Sequence, residues 1–334
     1  MLRFVIGLLC LAAATNAVGA DVCPLLRSQQ AAPDAATRIA AVACSEHLLW
    51  YRPFIDTAGR LASTSVSEAE ASRLDDGGTL AWQRVASYWR DSGLLPQMAG
   101  VAGAPECGYA GSDHYAATQC RSFVLDQAWS AAFISWVMRR AALPGFRGSA
   151  SHVDYVRDAY LRPDESAFVY LDPATTRPAT GDLLCYVRMP ERVLGYEGLR
   201  QALGNDDPQG LPMHCDVVVA ANPGNDGTAY LVGGNVQQAV TMRLLPLNRG
   251  GLFWSLPRRA EVDPDCSPDT AAACNLSRQD WAVLLKLKPA QGLAGLAPPL
   301  PILSSRVQAQ PACCVNCVVG AVPPVPRCPK PPVP

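Results

Sequence analysis

Charge is scarce in this chain. Charged residues make up only 17% of its 334 residues, and acidic and basic side chains nearly cancel, leaving a net charge of −1. The chain also lacks a basic run. Nucleic-acid binding depends on clustered lysine and arginine that neutralise phosphates, so the composition argues against nucleic acid as a partner. Hydrophobic residues make up 49%, which indicates a folded globular protein.

Long apolar runs are equally rare, and the clearest one lies at the N-terminus. Met1-Leu2-Arg3 gives a positive start, Phe4–Ala14 an apolar run, and Val18-Gly19-Ala20 a small-residue cleavage site. This order predicts a secretory signal peptide cleaved near Ala20, too short for a stable membrane span. A lipoprotein anchor at Cys10 or Cys23 is the competing interpretation, but the preceding residues do not fit one. We expect a periplasmic or secreted protein without a transmembrane segment.

Cysteine is abundant, which fits export. Of 13 cysteines, only Cys10 falls in the predicted signal peptide, so an even number remains, and disulfides are expected in an oxidising compartment. The favoured local pairs are Cys107 with Cys120, Cys266 with Cys274, and Cys23 with Cys44. Cys185 and Cys215 lie in two predicted strands and form either a bridge or two small buried thiols.

Metal-ligand patterns are weak. The tail cysteines between Cys313 and Cys328 lack the paired CxxC spacing that is typical of zinc sites. A set made of His152, His214 and Asp216 lacks a close-spaced pair such as HExxH. We therefore expect neither a metal site nor a cofactor.

Helical spacing of apolar residues predicts helices over Ala36–Tyr51 and Leu80–Ser92, and a third that carries Trp129 and has Asp126 as its N-cap. The Gly- and Ala-rich segment Pro96–Cys120 is predicted to be an irregular surface loop closed by a disulfide between its two cysteines. Apolar runs bounded by Gly, Pro and Asn predict four strands: Asp182–Val187, His214–Ala220, Ala229–Gly233 and Thr241–Pro246. Helices followed by successive antiparallel strands indicate the α+β class.

The predicted organisation has five parts. They are a signal peptide (1–20), a helical N-terminal segment (21–79), a central domain (80–250), a disulfide-containing extension (251–296) and a Pro- and Cys-rich tail (297–334). Proline removes backbone donors and favours an extended path, so the tail is expected to be a poorly packed, disordered end.

Six sequence blocks, in order, resemble an uncharacterised bacterial family, domain of unknown function 2272 (DUF2272), over about Leu80 to Leu247. The blocks are Leu80–Trp89, Trp129–Met138, Ser151–Tyr155, Gly181–Cys185, His214–Val219 and Gly233–Val236. This family is distantly similar to the CHAP and NlpC amidases, which have a papain-like fold with a helix packed on a small antiparallel sheet and cut peptide bonds in peptidoglycan. The resemblance implies the same fold for the central domain.

Carried over by position, Ser130 falls on the nucleophilic cysteine of those amidases, His214 on their histidine and Asn235 on their third polar residue. Serine in place of cysteine requires a well-placed base, because a hydroxyl proton must be removed during attack. His214 would act as that base, held in one tautomer by Asn235 or by Asp216, which shares its strand face. Alternatively, Ser130 is a small packing residue and Gly233-Gly234-Asn235 a simple turn.

Three further residues are candidates for substrate contact. His152 could line the same cleft as His214, binding substrate or replacing it as the base. Trp129 precedes the nucleophile position. Asp182 follows Gly181 at a strand start, where a turn-forming role is favoured over that of an acid.

The leading functional hypothesis is an exported cell-envelope hydrolase that cleaves an amide of a peptidoglycan peptide with a Ser-His-Asn or Ser-His-Asp arrangement. One alternative is a catalytically inactive papain-like module that binds wall fragments or a protein partner. Another is a disulfide-braced periplasmic scaffold in which the cleft has no role.

Overall fold

A computed structural model describes residues 21–68, 71–204, 210–253, 256–260, 262 and 264–298 of the chain. The predicted signal peptide at 1–20, the tail cysteines and nearly all of the predicted Pro-rich tail lie outside these residues. Among the described helices, none is long and apolar enough to cross a membrane.

An eight-stranded sheet forms the centre of the described structure, with the strand order β2-β1-β7-β6-β5-β4-β8-β3. All neighbouring strands are antiparallel except β1 and β7. The strands are β1 (Phe54–Ile55), β2 (Leu61–Ala62), β3 (Phe168–Leu171), β4 (Leu183–Val187), β5 (Met213–Ala221), β6 (Thr228–Val236), β7 (Ala239–Pro246) and β8 (Asp280–Leu287). The expected α+β class is confirmed, although the sheet is larger than the small sheet anticipated.

Eight α-helices accompany the sheet within the described residues. They are α1 (Cys23–Leu26), α2 (Ala35–Leu49), α3 (Ala81–Asp91), α4 (His114–Asp126), α5 (Ser130–Arg140), α6 (His152–Leu161), α7 (Gly195–Gly204) and α8 (Ala290–Ala294). Helix α5 packs against β5, β6, α2 and α3. Every residue from Ser130 to Met138 is buried, as expected for a helix enclosed on all sides by other elements.

The two faces of the sheet carry separate cores. Successive residues of a strand point to opposite faces. In β5, Cys215 and Val217 join the large core under the helices, whereas Val218 joins a smaller core on the other face with Tyr186 and Trp281. By the same alternation, even-numbered residues at the start of β5 lie on the face away from α5.

The four cysteine pairs that the sequence suggested are present as disulfides. Cys23–Cys44 ties α1 to α2, and Cys107–Cys120 ties the loop before α4 to that helix. Cys266–Cys274 closes a short loop before β8. Cys185 and Cys215 are direct partners in the β4–β5 register, so the alternative of two free thiols is wrong. Such bridges are typical of proteins from oxidising compartments.

Two local predictions require correction. Asp126 is the last residue of α4, not the cap of α5, and the N-cap of α5 is Trp129. The supposed irregular loop at Pro96–Cys120 contains the first half of α4, whose own cap is Asp113, accepting from the N–H of Ala116 at 2.7 Å. The capping aspartate of this region is therefore Asp113 at the start of α4, because the chain forms two consecutive helices where one loop and one helix were predicted.

The segment after residue 250 contributes to the central sheet. Strand β8 lies between β4 and β3 and pairs with both. It carries Trp281 and Leu284, which belong to the smaller core. The predicted boundary between the domain and a disulfide-containing extension thus falls before a strand of the same sheet.

Candidate functional site

Two helix starts meet at the candidate site. Ser130 is the first residue of α5 and His152 the first residue of α6. Their side chains are joined by a hydrogen bond of 2.7 Å between Ser130 Oγ and His152 Nε2. The first backbone N–H groups of a helix have no acceptor within the helix and form its positive end. A hydroxyl and an imidazole therefore meet at the N-terminal ends of two helices.

The second ring nitrogen of His152 is engaged by a phenol. The hydroxyl of Tyr155 hydrogen-bonds His152 Nδ1. Residues three apart on a helix lie on the same side, which is why Tyr155 reaches the ring of His152 within the first turn of α6. When Ser130 donates to Nε2, Nδ1 carries the ring proton and donates to the phenol oxygen. The chain Ser130–His152–Tyr155 is therefore compatible with the tautomer that a general base requires.

Burial determines the protonation states of His152 and Tyr155. Burial, and then the neighbouring His214, lower the pKa of His152 well below its usual value, while Asp216 acts in the opposite direction. Burial also raises the pKa of Tyr155 well above its usual value, and Asp154 adds to the effect. At neutral pH the imidazole is a neutral base and the phenol keeps its proton.

A second histidine forms a separate polar cluster on β5. His214 Nε2 lies 2.7 Å from Asp216 Oδ1, and Arg243 Nε donates to Asp216 Oδ2 at 3.1 Å. Arg243 also donates through Nη1 to the Leu276 carbonyl at 2.8 Å. Burial alone would raise the pKa of Asp216, but the charges and hydrogen bonds of His214 and Arg243 outweigh it and lower the pKa to about 2. Asp216 is therefore a buried carboxylate with a full set of partners.

The expected pairing of Ser130 with His214 requires correction, because the hydroxyl bonds to His152 instead. The two-residue alternation of β5 turns His214 and Asp216 towards the sheet face opposite to α5. Tyr186 on β4 faces His214 directly, with ring centroids 5.1 Å apart. The sequence-based alternative, in which His152 takes the place of His214, matches the observed hydrogen bond.

Asn235 also has partners other than those expected. Its side chain accepts from the backbone N–H of Trp129 at 3.2 Å and donates to Glu68 at 3.3 Å, in the amide orientation that satisfies both groups. Glu68 in turn accepts from the Trp129 indole. Asn235 therefore holds the residue before Ser130 and does not contact His214 through these bonds.

Trp129 is fully buried and belongs to the core. Its ring stacks on Trp50 and Tyr88 at centroid distances of 5.9 and 5.5 Å. Burial raises the pKa of its partner Glu68, and the indole hydrogen bond offsets part of that rise. The expected substrate contact of Trp129 is replaced by a structural role in fixing the start of α5.

The segment Gly233-Gly234-Asn235 lies inside β6, not in a turn. A Cβ at Gly233 would come within 1.8 Å of Asp216 Oδ1, and one at Gly234 within 2.5 Å of Phe133 Cβ. The two glycines therefore let β6 approach Asp216 on one face and α5 on the other. A shift of register follows between Gly233 and Val236, where Asn235 adopts a left-handed backbone with φ 56°.

Asp182 is committed to the opposite end of β4. Its carboxylate accepts from the N–H of Ala179 at 2.7 Å and of Leu287 at 2.9 Å, and pairs with Lys286 Nζ at 2.8 Å. Burial raises its pKa, although these partners act in the opposite direction. The arrangement agrees with a turn-forming residue that joins β4 to β8, and the carboxylate is occupied by these partners.

A polar cavity of about 290 Å³ opens beside His214. Tyr186, Asn235 and Arg243 line it together with the hairpin between β6 and β7. Ser130 and His152 are 5% and 3% exposed and do not line the cavity. The cavity therefore borders the second cluster and not the Ser130–His152 pair.

One group of three metal-ligating residue types occurs among the described residues, and it lies elsewhere. Asp21, Cys23 and His47 offer atoms within 4.8 Å of one another. Cys23 is oxidised to a disulfide with Cys44, so its sulfur is not a thiolate ligand. The site residues proposed from the sequence are not part of this group.

Tyr155, Glu68 and Arg243 are site residues that the sequence reasoning missed. The spacing of His152 and Tyr155 on one helix turn was a usable signal for the first. Glu68 stands in a polar stretch and Arg243 in a strand, and neither position has a local pattern that indicates its partner. Only the tertiary fold brings them to α5 and β5.

The fold and site define an α+β protein in which a buried Ser-His-Tyr chain lies beside an Asp-His cluster, with the rings of His152 and His214 5.2 Å apart. Residues 76–287, more than half of the chain, match the family described as an uncharacterized protein conserved in bacteria, DUF2272. The chain belongs to this family. No curated protein and no solved structure matches it.

Proposed function

We propose that this protein is an exported serine hydrolase of the cell envelope that cleaves an amide bond in a peptidoglycan peptide. The observation that carries the proposal is the 2.7 Å hydrogen bond between Ser130 Oγ and the neutral imidazole of His152 at the start of α5. The papain-like layout, the signal peptide ending near Ala20 and the periplasmic or secreted location belong to the same proposal. The four disulfides support export.

The order of elements supports a papain-like arrangement. A helix that begins with the candidate nucleophile packs on the strands that carry His214 and Asn235, in the chain order of those amidases. The hydrogen bonds assign the roles differently from the resemblance. His152 takes the role of base, Tyr155 orients it, and His214 with Asp216 borders the cavity that would receive the substrate.

Each step of the reaction has a group to perform it. His152 Nε2 takes the proton of Ser130 as the Oγ–carbon bond forms, and the backbone N–H groups at the start of α5 stabilise the oxyanion. His152 then gives the proton to the leaving nitrogen, the carbon–nitrogen bond breaks, and an acyl-serine remains. Water attacks this ester with His152 again as the base, releasing a carboxylic acid and restoring Ser130.

Reaction of the protein with a fluorophosphonate tests the proposal. We expect an adduct on Ser130, found by peptide mass spectrometry, that is lost in Ser130→Ala and in His152→Gln. Ser135→Ala is the matched control, because Ser135 is a buried serine on the same helix that hydrogen-bonds the Ser149 carbonyl instead of a histidine. Absence of the adduct in the folded wild-type protein, or an adduct unaffected by His152→Gln, would falsify the proposal.

A second function has its own supporting observation. Ser130 and His152 are almost completely buried, whereas the open cavity is lined by polar side chains around His214. A catalytically inactive module would use that cavity to bind a wall peptide and would not need Ser130. Peptide affinity that is unchanged in Ser130→Ala, in a protein that fluorophosphonate does not label, distinguishes this function from hydrolysis.

A further inference from the structure

The cavity beside His214 has an unusual rim. It is closed on one side by Gln237 and Gln238, the two residues that connect β6 to β7. Val236 and Ala239 pair across this connection, so the hairpin has a two-residue loop. Both glutamines have positive φ, 54° and 60°, the pattern of a type I′ turn.

Glutamine is disfavoured at the central positions of a type I′ turn. Asn-Gly and similar pairs are strongly preferred at its two central positions, since a side chain with a Cβ is strained at positive φ. Strain of this kind concentrates at functional sites, where the side chain has a use that outweighs it. Gln237 and Gln238 are exposed residues that line the cavity, and a glutamine side chain has both a donor and an acceptor to offer a ligand.

The cavity also contains one uncompensated positive charge. Arg243 is committed to Asp216 and to the Leu276 carbonyl. Arg188 lines the cavity and is exposed, and its guanidinium has no hydrogen-bond or ion-pair partner among the described residues. Arginine binds carboxylates through paired N–H donors, so an anionic group on the ligand fits this position.

We propose that this cavity binds a short peptide through a free carboxylate, with Arg188 holding the carboxylate and Gln237 and Gln238 hydrogen-bonding the peptide amides beside His214. The inference that the bound peptide is a substrate rests on the proposed function, whereas the inference that the peptide binds here does not. The cavity volume of about 290 Å³ lies at the lower end of ordinary ligand sites, so it encloses only a small part of a wall polymer.

Calorimetric titration of the full exported chain tests the proposal with two matched probes. N-acetyl-alanyl-alanine carries a free carboxylate, and N-acetyl-alanyl-alaninamide is the same peptide without it. We expect the acid to bind about tenfold or more tightly than the amide, because a charge-assisted pair is lost in the amide. The same preference is expected in Ser130→Ala, which separates binding from catalysis.

Variants identify the arginine responsible. Arg188→Gln is expected to weaken the acid to the affinity of the amide. Arg192→Gln is the control, since Arg192 is an exposed arginine in the same loop that does not line the cavity. Equal binding of acid and amide by the wild type, absence of binding of both, or full affinity in folded Arg188→Gln overturns the proposal. If the wild type prefers the acid to the amide but is not labelled by fluorophosphonate, only the proposed hydrolase function is overturned.

Discussion

The rings of His152 and His214 lie side by side, with centroids 5.2 Å apart, yet each has its own polar partner. His152 bonds Ser130 and His214 bonds Asp216. Burial, and then the neighbouring His214, lower the pKa of His152, so its ring is uncharged at neutral pH. The site thus separates a neutral base from a carboxylate-bound histidine at the cavity.

This division predicts different effects for the two histidines. Replacing His152 with Gln should lower the rate of fluorophosphonate labelling of Ser130 by about 10²–10⁴-fold, the usual contribution of a general base. Replacing His214 with Gln leaves the Ser130–His152 bond in place, so the rate should fall by less than about tenfold. Time-resolved mass spectrometry measures both rates. A larger loss in His214→Gln would restore His214 as the base and refute the assignment made from the hydrogen bonds.

Acid should destabilise the fold through His152. Burial lowers its pKa, so the unfolded chain binds a proton at higher pH than the folded one, and this contribution to stability is lost as the pH falls below about 6.5. Urea unfolding at pH 7.5, 6.5 and 5.5 should give a slope up to about 1.4 kcal/mol per pH unit steeper in the wild type than in His152→Gln.

The comparison with the variant is needed because other groups also titrate. The pKa of His47 is lowered by burial and adds to the acid destabilisation. Burial raises the pKa of Glu68, so its protonation on folding acts in the opposite direction. Both contributions are common to the two proteins and cancel in the difference. Parallel pH profiles of wild type and His152→Gln would exclude a depressed pKa at His152.

Asp216 should be the most sensitive polar residue of the sheet. Asp216→Asn leaves Arg243 buried with its charge uncompensated, which is expected to lower the free energy of unfolding by about 3–5 kcal/mol. Glu197→Gln is the control, because Glu197 pairs with Arg200 on an exposed helix surface and its loss should change little. Chemical denaturation measures both. Equal, small effects would mean that Arg243 finds another partner.

Much of this fold could be predicted because its signals are local. Apolar runs between Gly, Pro and Asn gave β4 to β7 with boundaries close to those observed, and close cysteines gave the disulfides. Strand β8 was not predicted although Trp281–Leu285 is itself an apolar run, and nothing local indicates that it inserts between β4 and β3.

The sequence allowed most residues of the candidate site to be predicted, but not the contacts between them. Ser130, His152, His214 and Asp216 were all named, but the alternation that turns His214 away from α5 depends on which sheet face the helix covers. The bond between Ser130 and His152 depends on two helix starts meeting in space. Neither relation produces a periodic pattern in the sequence. The hydrogen-bond partner of the Ser130 hydroxyl could therefore be identified only from the tertiary structure.

Close packing of β6 on α5 should make Gly234 intolerant of substitution. A Cβ there would meet Phe133 Cβ at 2.5 Å, too close for either backbone to remain in place. Gly234→Ala is expected to lower the free energy of unfolding by about 1–3 kcal/mol, as for overpacking in a core. Gly78→Ala is the control, since a Cβ at Gly78 has nothing within 4 Å. A stable Gly234→Ala protein would show that the strand can move away from α5 at little cost.

The hairpin rim offers a test in which stability and binding change in opposite directions. The double change Gln237→Asn and Gln238→Gly introduces the pair that a type I′ turn prefers, so the free energy of unfolding should rise by about 1 kcal/mol. The same change removes the two long amides from the cavity, and the affinity for N-acetyl-alanyl-alanine should fall, as measured by calorimetry beside chemical denaturation. The single change Gln279→Asn shortens another cavity amide outside the turn and should lower stability slightly, because that amide donates to the Leu276 carbonyl at 3.1 Å. A double variant that gains stability and keeps full peptide affinity would mean that the strained glutamines do not contact the ligand. A double variant that loses stability would mean that the two side chains stabilise the hairpin through contacts of their own, and the functional explanation of the strain would then be unnecessary.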